Sequence, residues 1–173
     1  MEATEPKAAR VGKSRHLQPA GPELFTREGV TYVSWFSKGT TSQTTITTQD
    51  ISDLDFIAIS RAGLTNRSTG ALAERLELTA RETAQLLTLS PRTYHRKRPD
   101  EVLNPVASER LLLLTKLADH GVAVFEDPGK FNRWLRRPLR ILGGNTPLAL
   151  LDTGQGIKWV DTLLGRMEYG VYS

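Results

Sequence analysis

From about residue 50 onward, apolar residues recur every three or four positions, the period of helices that bury one face. Ile51, Leu54, Ile57 and Ala58 fall together on a first helix, with Asp50 as its expected N-cap, Asp53 in its first turn and Gly63 as its C-cap. A second helix follows Ser68 and turns Leu72, Ala73 and Leu76 inward. Thr79-Ala80-Arg81-Glu82 has the capping-box pattern and opens a third, through Ala84 and Leu87. Four further starts share one device, a short polar residue followed by proline: Ser90-Pro91, Asn104-Pro105, Asp127-Pro128 and Thr146-Pro147. The polar side chain accepts a free N–H of the first turn, and proline at N1 lacks a donor that would have no partner there. These starts predict the short helix RTYHRKR, a long helix VASERLLLLTKLADHG stopping at Gly121, a helix carrying Phe131, Trp134 and Leu135, and PLALLD. Thr153 caps the last helix, which carries Ile157, Val160, Leu163, Leu164 and Met167.

Residues 1–48 follow another pattern. Pro, Gly, Lys and Glu dominate the start, and a Thr/Ser run, GTTSQTTITTQ, closes it. Such a stretch buries too little apolar area to offset its ordering entropy. VTYVSWF is the exception, with strand-like alternation, and reads as a short hairpin or sticky patch in a flexible arm. The expected organisation is therefore all-α: a flexible N-terminal arm over 1–48, a helix-turn-helix domain with the long helix over 49–121, and a small helical domain over 122–173.

Composition narrows the function. The chain has 173 residues, of which 39% are hydrophobic, and no cysteine, which removes disulfides, thiolate catalysis and cysteine-held zinc. His16, His95 and His120 lack metal-ligand spacing, and no cofactor is expected. No apolar run approaches the roughly 18 residues of a membrane span, and MEATEPKAAR lacks a signal-peptide core, so the expected location is the cytoplasm. No nucleophile elbow or paired carboxylates argue for an enzyme. Net charge is only +4, but it is uneven. Arg81, Arg92, Arg96, Lys97 and Arg98 face only Glu82 within their stretch, and Lys130, Arg133, Arg136, Arg137 and Arg140 have no acidic neighbour between them. Two basic clusters mean two candidate anion-facing surfaces.

Residues 80–98 fit helix-turn-helix spacing. Ala84 is small enough for close packing, Leu89 points inward in the turn, and Tyr94 anchors the second helix. Ser90, Arg92, Thr93, His95 and Arg96 then face outward as candidate DNA contacts, with Lys97 and Arg98 near phosphates. Arginine suits base reading because it binds guanine O6 and N7 bidentately. The turn departs from the usual pattern in having Thr88 where glycine is common, and Lys97 stands at a commonly apolar position.

The stretch from 131 to the end alternates helices with sharp stops and finishes in an uncharged tail after Glu168. Trp134-Leu135 with Pro138, Gly143-Gly144, Thr146-Pro147-Leu148, Leu150-Leu151, Gly156 and Gly165-Arg166 followed by Gly170 form a dense motif. With SPRTYHRKR, it makes residues 51–173 resemble the Xre/MbcA/ParS-type antitoxins paired with RES-domain toxins. The resemblance implies an Xre-like domain that binds operator DNA and a C-terminal domain that binds the toxin. It implies a cognate RES-domain toxin, NAD-consuming or ADP-ribosyltransferase-like, as partner, with the NAD chemistry belonging to the toxin. Arg166, Glu168, Tyr169, Gly170, Val171, Tyr172 and Ser173 are the expected occluding contacts, supported by Arg133 and Arg137. A homodimer and a higher hetero-oligomer with toxin are expected with it. The alternative is a stand-alone helix-turn-helix transcriptional regulator.

Overall fold

The computed structural model describes residues 21–36 and 43–170. It opens with a three-stranded antiparallel sheet in the order β1 (Glu23–Arg27), β2 (Val30–Phe36), β3 (Gln43–Thr47). Glu28 and Gly29 join the first two strands with φ of 52° and 79°, the doubly left-handed turn whose twist matches a hairpin. The register aligns Leu24 with Val33 and Val33 with Ile46, so one apolar row faces the helices. On the other face Phe25 stacks on Tyr32 at 5.6 Å.

Among the described residues eight helices follow: α1 (Asp53–Ala62), α2 (Ser68–Arg75), α3 (Ala80–Leu86), α4 (Pro91–Arg96), α5 (Pro105–Phe125), α6 (Pro128–Leu135), α7 (Pro147–Leu150) and α8 (Gly154–Glu168). A 3-10 turn spans Arg140–Leu142 between α6 and α7. The fold is thus mostly helical but not all-α. Helix α5 is the axis of the core: α1, α2, α6, α8 and β2 all pack on it, and Leu111, Leu112, Leu114, Leu117 and Ala118 are buried there.

The four polar–proline starts hold. Ser90, Asn104, Asp127 and Thr146 each accept the backbone N–H three residues on, and Thr153 does the same for α8. Thr79 and Glu82 close the capping box. The Glu82 carboxyl lies below its usual range, chiefly because the Thr79 backbone N–H donates to it, with the Thr79 hydroxyl next.

Three expectations are corrected. The cap of α1 is Ser52, whose hydroxyl accepts from Asp55 N, while Asp50 bonds Thr47 instead. The inward residues of α1 are Phe56 and Ile59, and Leu54 and Ile57 face out at 80% and 45% exposure. Second, Gly121 does not stop the long helix, which continues to Phe125 and ends at Glu126 in the left-handed region, φ 54°. Gly121 is a notch: a Cβ there would lie 2.2 Å from two ring carbons of the fully buried Phe131. Third, the expected flexible arm over 1–48 is a sheet in its described part.

What holds that sheet is polar. Thr31 Oγ1 donates to Asp119 Oδ1 at 2.9 Å, and the Thr48 hydroxyl donates to the other carboxylate oxygen. Arg75 Nη2 lies 2.6 Å from Asp119, both side chains being 10% exposed, and its other terminal nitrogen donates to the Gly29 carbonyl at 2.8 Å. Asp119 on α5 therefore clamps β2, the end of β3 and α2 together. Burial pushes its carboxyl above the ordinary range, against the opposing pull of Thr48, Arg75 and Thr31.

Candidate functional site

The first basic surface is built by the turn between α3 and α4. Ala84 is fully buried, and its carbonyl accepts from Leu89 N at 2.8 Å, while Leu87 and Leu89 point into the core. Thr88 carries the turn in the left-handed region, φ 56°, and its hydroxyl donates to the Leu87 carbonyl at 2.7 Å. A β-branched residue is strained there. Thr88→Gly is expected to stabilise the chain by about 0.5–1 kcal/mol, raising the melting midpoint by about 2 °C in calorimetry.

Helix α4 has six residues, none of them buried. Half-buried Tyr94 fixes its rotation, its hydroxyl 3.2 Å from Thr69 Oγ1 on α2. Arg92, Thr93, His95 and Arg96 are exposed. Ser90 is engaged at home, capping Thr93 N at 3.0 Å and touching the Thr93 hydroxyl at 2.8 Å. Arg92, Thr93, Arg96, Lys97 and Glu101 line an open depression of about 240 Å³. Lys97 spends its ammonium inside the fold: it donates to Glu101 Oε1 at 2.6 Å and to the Val102 carbonyl at 3.2 Å. This explains why a charged residue stands at a commonly apolar position, since the stem is covered and the head is paired. The same hydrogen bond, followed by one from Arg98 N, holds the Glu101 carboxyl below its usual range. Arg98 is exposed and lies 3.4 Å from Asp100. Arg92 and Arg96 are therefore the cations of α4 with no internal partner among the described contacts.

The second basic cluster divides the same way. Arg136 is structural: it donates to the carbonyls of Leu76 and Glu77, each at 2.8 Å, and ties α6 to the α2–α3 turn. Arg133 and Arg137 are exposed. Phe131 and Leu135 are fully buried, and Trp134 packs 5.5 Å from Phe125. Arg110 on α5 ties the end of α3 to the end of α7, donating to Leu86 O at 2.5 Å and Leu151 O at 2.8 Å. Burial lowers its pKa, with Asp152 and Glu109 opposing.

Helix α8 carries the C-terminal surface. Ile157, Val160, Leu163 and Leu164 pack inward. The opposite stripe is Trp159, Thr162, Arg166 and Tyr169, at i, i+3, i+7 and i+10, all exposed, with Trp159 at 43% and Tyr169 at 79%. Trp159 was not among the residues expected from sequence to touch a partner. It sits between inward Ile157 and Val160, so only the helical phase distinguishes it. Glu168 lies on another side, its carboxylate 3.5 Å from His120 Nε2, while His120 Nδ1 meets Asp161 at 2.7 Å. Gly170 has φ 67° and terminates the helix, its N–H donating to Met167 O. Val171, Tyr172 and Ser173 lie outside the described residues. Among the described contacts, none joins Arg133 or Arg137 to the α8 stripe.

No group of three His, Asp or Glu side chains is placed to hold a metal among the described residues, and no described helix is long and apolar enough to cross a membrane. What the two surfaces offer is recognition: paired arginines on a helix braced by its own domain, and an aromatic–arginine stripe on a rigid helix.

Residues 55–116 match the antitoxin Xre-like helix-turn-helix domain, and residues 120–170 match the antitoxin Xre/MbcA/ParS C-terminal toxin-binding domain. The chain is 40% identical over 67 residues to "Antitoxin Xre" of Photorhabdus laumondii, covering 38% of this chain and 45% of that relative. It is 27% identical over 132 residues to "Prs ADP-ribosylating antitoxin" of a Sphingobium species, covering 70% and 83%. The chain spans about half the length of the Antitoxin Xre relatives it matches. Among solved structures, the M. tuberculosis MbcT–MbcA toxin–antitoxin complex aligns with a TM-score of 0.48 at 28% identity, covering 62% of this chain and 96% of that one.

Proposed function

The chain belongs to the Xre/MbcA/ParS antitoxins, and on that premise we propose that it neutralises a cognate RES-type toxin in the cytoplasm by covering the toxin's active site with its C-terminal domain. The observation that carries this is the exposed Trp159–Arg166–Tyr169 stripe within the stretch matching the toxin-binding domain. Aromatic and arginine side chains dominate binding energy when a partner desolvates them. Arg166 can meet carboxylates at the mouth of an NAD site, with electrostatic complementarity speeding association. The proposed working units are residues 49–121 for DNA and 122–173 for toxin, the boundary falling inside α5.

The test is co-purification with the product of the adjacent gene, comparing the full chain with a version ending at Glu168. A tight complex that weakens on truncation supports the reading, and no complex in either form overturns it. Trp159→Ala and Tyr169→Ala are each expected to weaken the complex by about 2 kcal/mol, roughly 30-fold in Kd by titration calorimetry. Wild-type affinity in both variants would remove α8 from the interface.

We also propose that α4 binds the promoter of the chain's own operon, so that the antitoxin represses its own synthesis. Arg92 and Arg96 support this, being exposed and unengaged on a helix whose rotation Tyr94 fixes. Arg92→Ala and Arg96→Ala should each weaken specific operator binding by about 1–3 kcal/mol in a mobility-shift titration. An equal loss on random DNA would reduce them to phosphate contacts. Lys97→Ala should affect fold more than affinity, because its charge is already met by Glu101.

A further inference from the structure

Packing on α8 stops before the helix does. Leu164 is its last buried residue; Gly165 and Met167 are half-buried, and Arg166, Glu168 and the following Tyr169 are exposed. Gly165 stands at that boundary and lowers the helix propensity, although nothing within 4 Å of its Cβ position requires a glycine. The last turn, which carries Arg166 and leads into Tyr169, is therefore weakly held by its own sequence. Among the described contacts, one side chain from outside α8 bonds it. His120, on α5 and a quarter exposed, meets Asp161 Oδ1 through Nδ1 at 2.7 Å and Glu168 Oε2 through Nε2 at 3.5 Å. The two carboxylates stand at i and i+7 and so share one side of the helix. The ring thus bridges the boundary, with Asp161 in the packed part of α8 and Glu168 in the part beyond it.

The two contacts make different demands on the ring. A neutral imidazole has one N–H and one lone pair, whereas the imidazolium donates from both nitrogens. The shorter contact keeps a proton on Nδ1, facing Asp161. Loss of the other proton then leaves the Nε2 lone pair against the Glu168 carboxylate, and the tie to the last turn is gone. The clasp on both carboxylates belongs to the charged ring alone. The other charged groups around it are Lys116 on α5, Lys158 on α8 and Asp53 on α1, which line one open cleft of about 540 Å³ with His120 and Asp161. Among the described contacts, only Asp161 and Glu168 touch the ring.

We propose that His120 is a positioning residue for the partner-binding end of α8: its ring clasps Asp161 and Glu168, fixes the last turn, and so presents Arg166 and Tyr169 in a set direction. The use of that end in toxin binding rests on the reading above; the clasp itself does not, and its first test needs only the full chain. Hydrogen exchange is followed by NMR at about pH 5.5 and about pH 8, either side of the range where imidazoles titrate, with the intrinsic pH dependence of exchange divided out. Protection of the Arg166, Met167 and Glu168 amides should fall about fivefold at the higher pH, the scale of one half-exposed ion pair, while α5 and the earlier turns of α8 stay unchanged. His120→Gln, never charged, should show the low protection at both values. His120→Arg, always charged and forked, should show the high protection at both. A role in packing alone would leave wild type flat and the two variants alike, and that result overturns the proposal. The second measurement is toxin affinity, taken as the ratio of wild-type Kd to that of His120→Arg, so that titration of the toxin cancels. The ratio should be about 1 at the lower pH and about 5 at the higher; a ratio that stays flat while the exchange data respond overturns the positioning role. A chain that binds no toxin in any form overturns the neutralisation reading instead, and the exchange data still judge the clasp.

Discussion

Replacing Asp119 with alanine is expected to destabilise the chain by about 3–5 kcal/mol, because it leaves the Arg75 guanidinium buried without its counter-charge. The Thr31 hydroxyl loses its acceptor in the same step and the Thr48 hydroxyl keeps only the Thr31 carbonyl at 3.3 Å, so the damage should centre on the sheet. Urea titration gives the magnitude. Hydrogen exchange gives the location, with β1 to β3 losing protection before α5. A loss below about 1 kcal/mol would mean that Arg75 finds water or another acceptor at little cost. Removing both charges, as Arg75→Met with Asp119→Leu, should be less damaging than Asp119→Ala alone. The pH dependence of this clamp runs opposite to that of an exposed ion pair. Since burial holds the carboxyl above its unfolded value of 3.8, the folded state keeps that proton more tightly. The group's contribution to stability is greatest below the unfolded value and declines as pH rises through the folded one.

Gly156→Ala should cost about 3 kcal/mol or more, against a gain of about 1 kcal/mol in helix propensity that it cannot recover. The added Cβ would stand 1.8 Å from the Leu150 carbonyl oxygen and 2.7 Å from its carbon. These are backbone atoms, so relief requires moving α7 away from α8. Gly165→Ala is the control: nothing lies within 4 Å of its Cβ, and it should be neutral or mildly stabilising. If thermal melts place the two alanine variants together, the close approach of α7 and α8 is wrong.

Local signals carried the helical half. A cap followed by proline is a short-range event, and Ser90, Asn104, Asp127 and Thr146 each perform it within three residues. The errors arise where the deciding partner is distant. Gly121 reads as a stop until Phe131 is seen to fill the space beside it. Leu54 and Ile57 read as core because one face had to be chosen, and only the packing of Phe56 and Ile59 against α5 shows which face that is. The Thr-rich strand β3 reads as loop because the acceptor for Thr48 is Asp119, 71 positions away. At the site, α4 was legible as a basic helix, but the helical pattern alone does not tell Arg92 from Lys97. That difference depends on Glu101 and the Val102 carbonyl closing over the lysine. Trp159 was missed because a tryptophan among Ile157, Val160 and Leu163 has the composition of a core.

The helix that ends one matched domain also begins the next: α5 runs unbroken from Pro105 to Phe125, while the two family stretches stop at residue 116 and start at 120. The two halves are thus geared to one shaft. Inserting a single residue between them would turn the α8 stripe about 100° around that shaft relative to α4 and advance it about 1.5 Å. Chimaeras that exchange the C-terminal stretch between relatives must therefore be spliced in helical phase, and insertions near residue 118 are expected to survive only in whole turns.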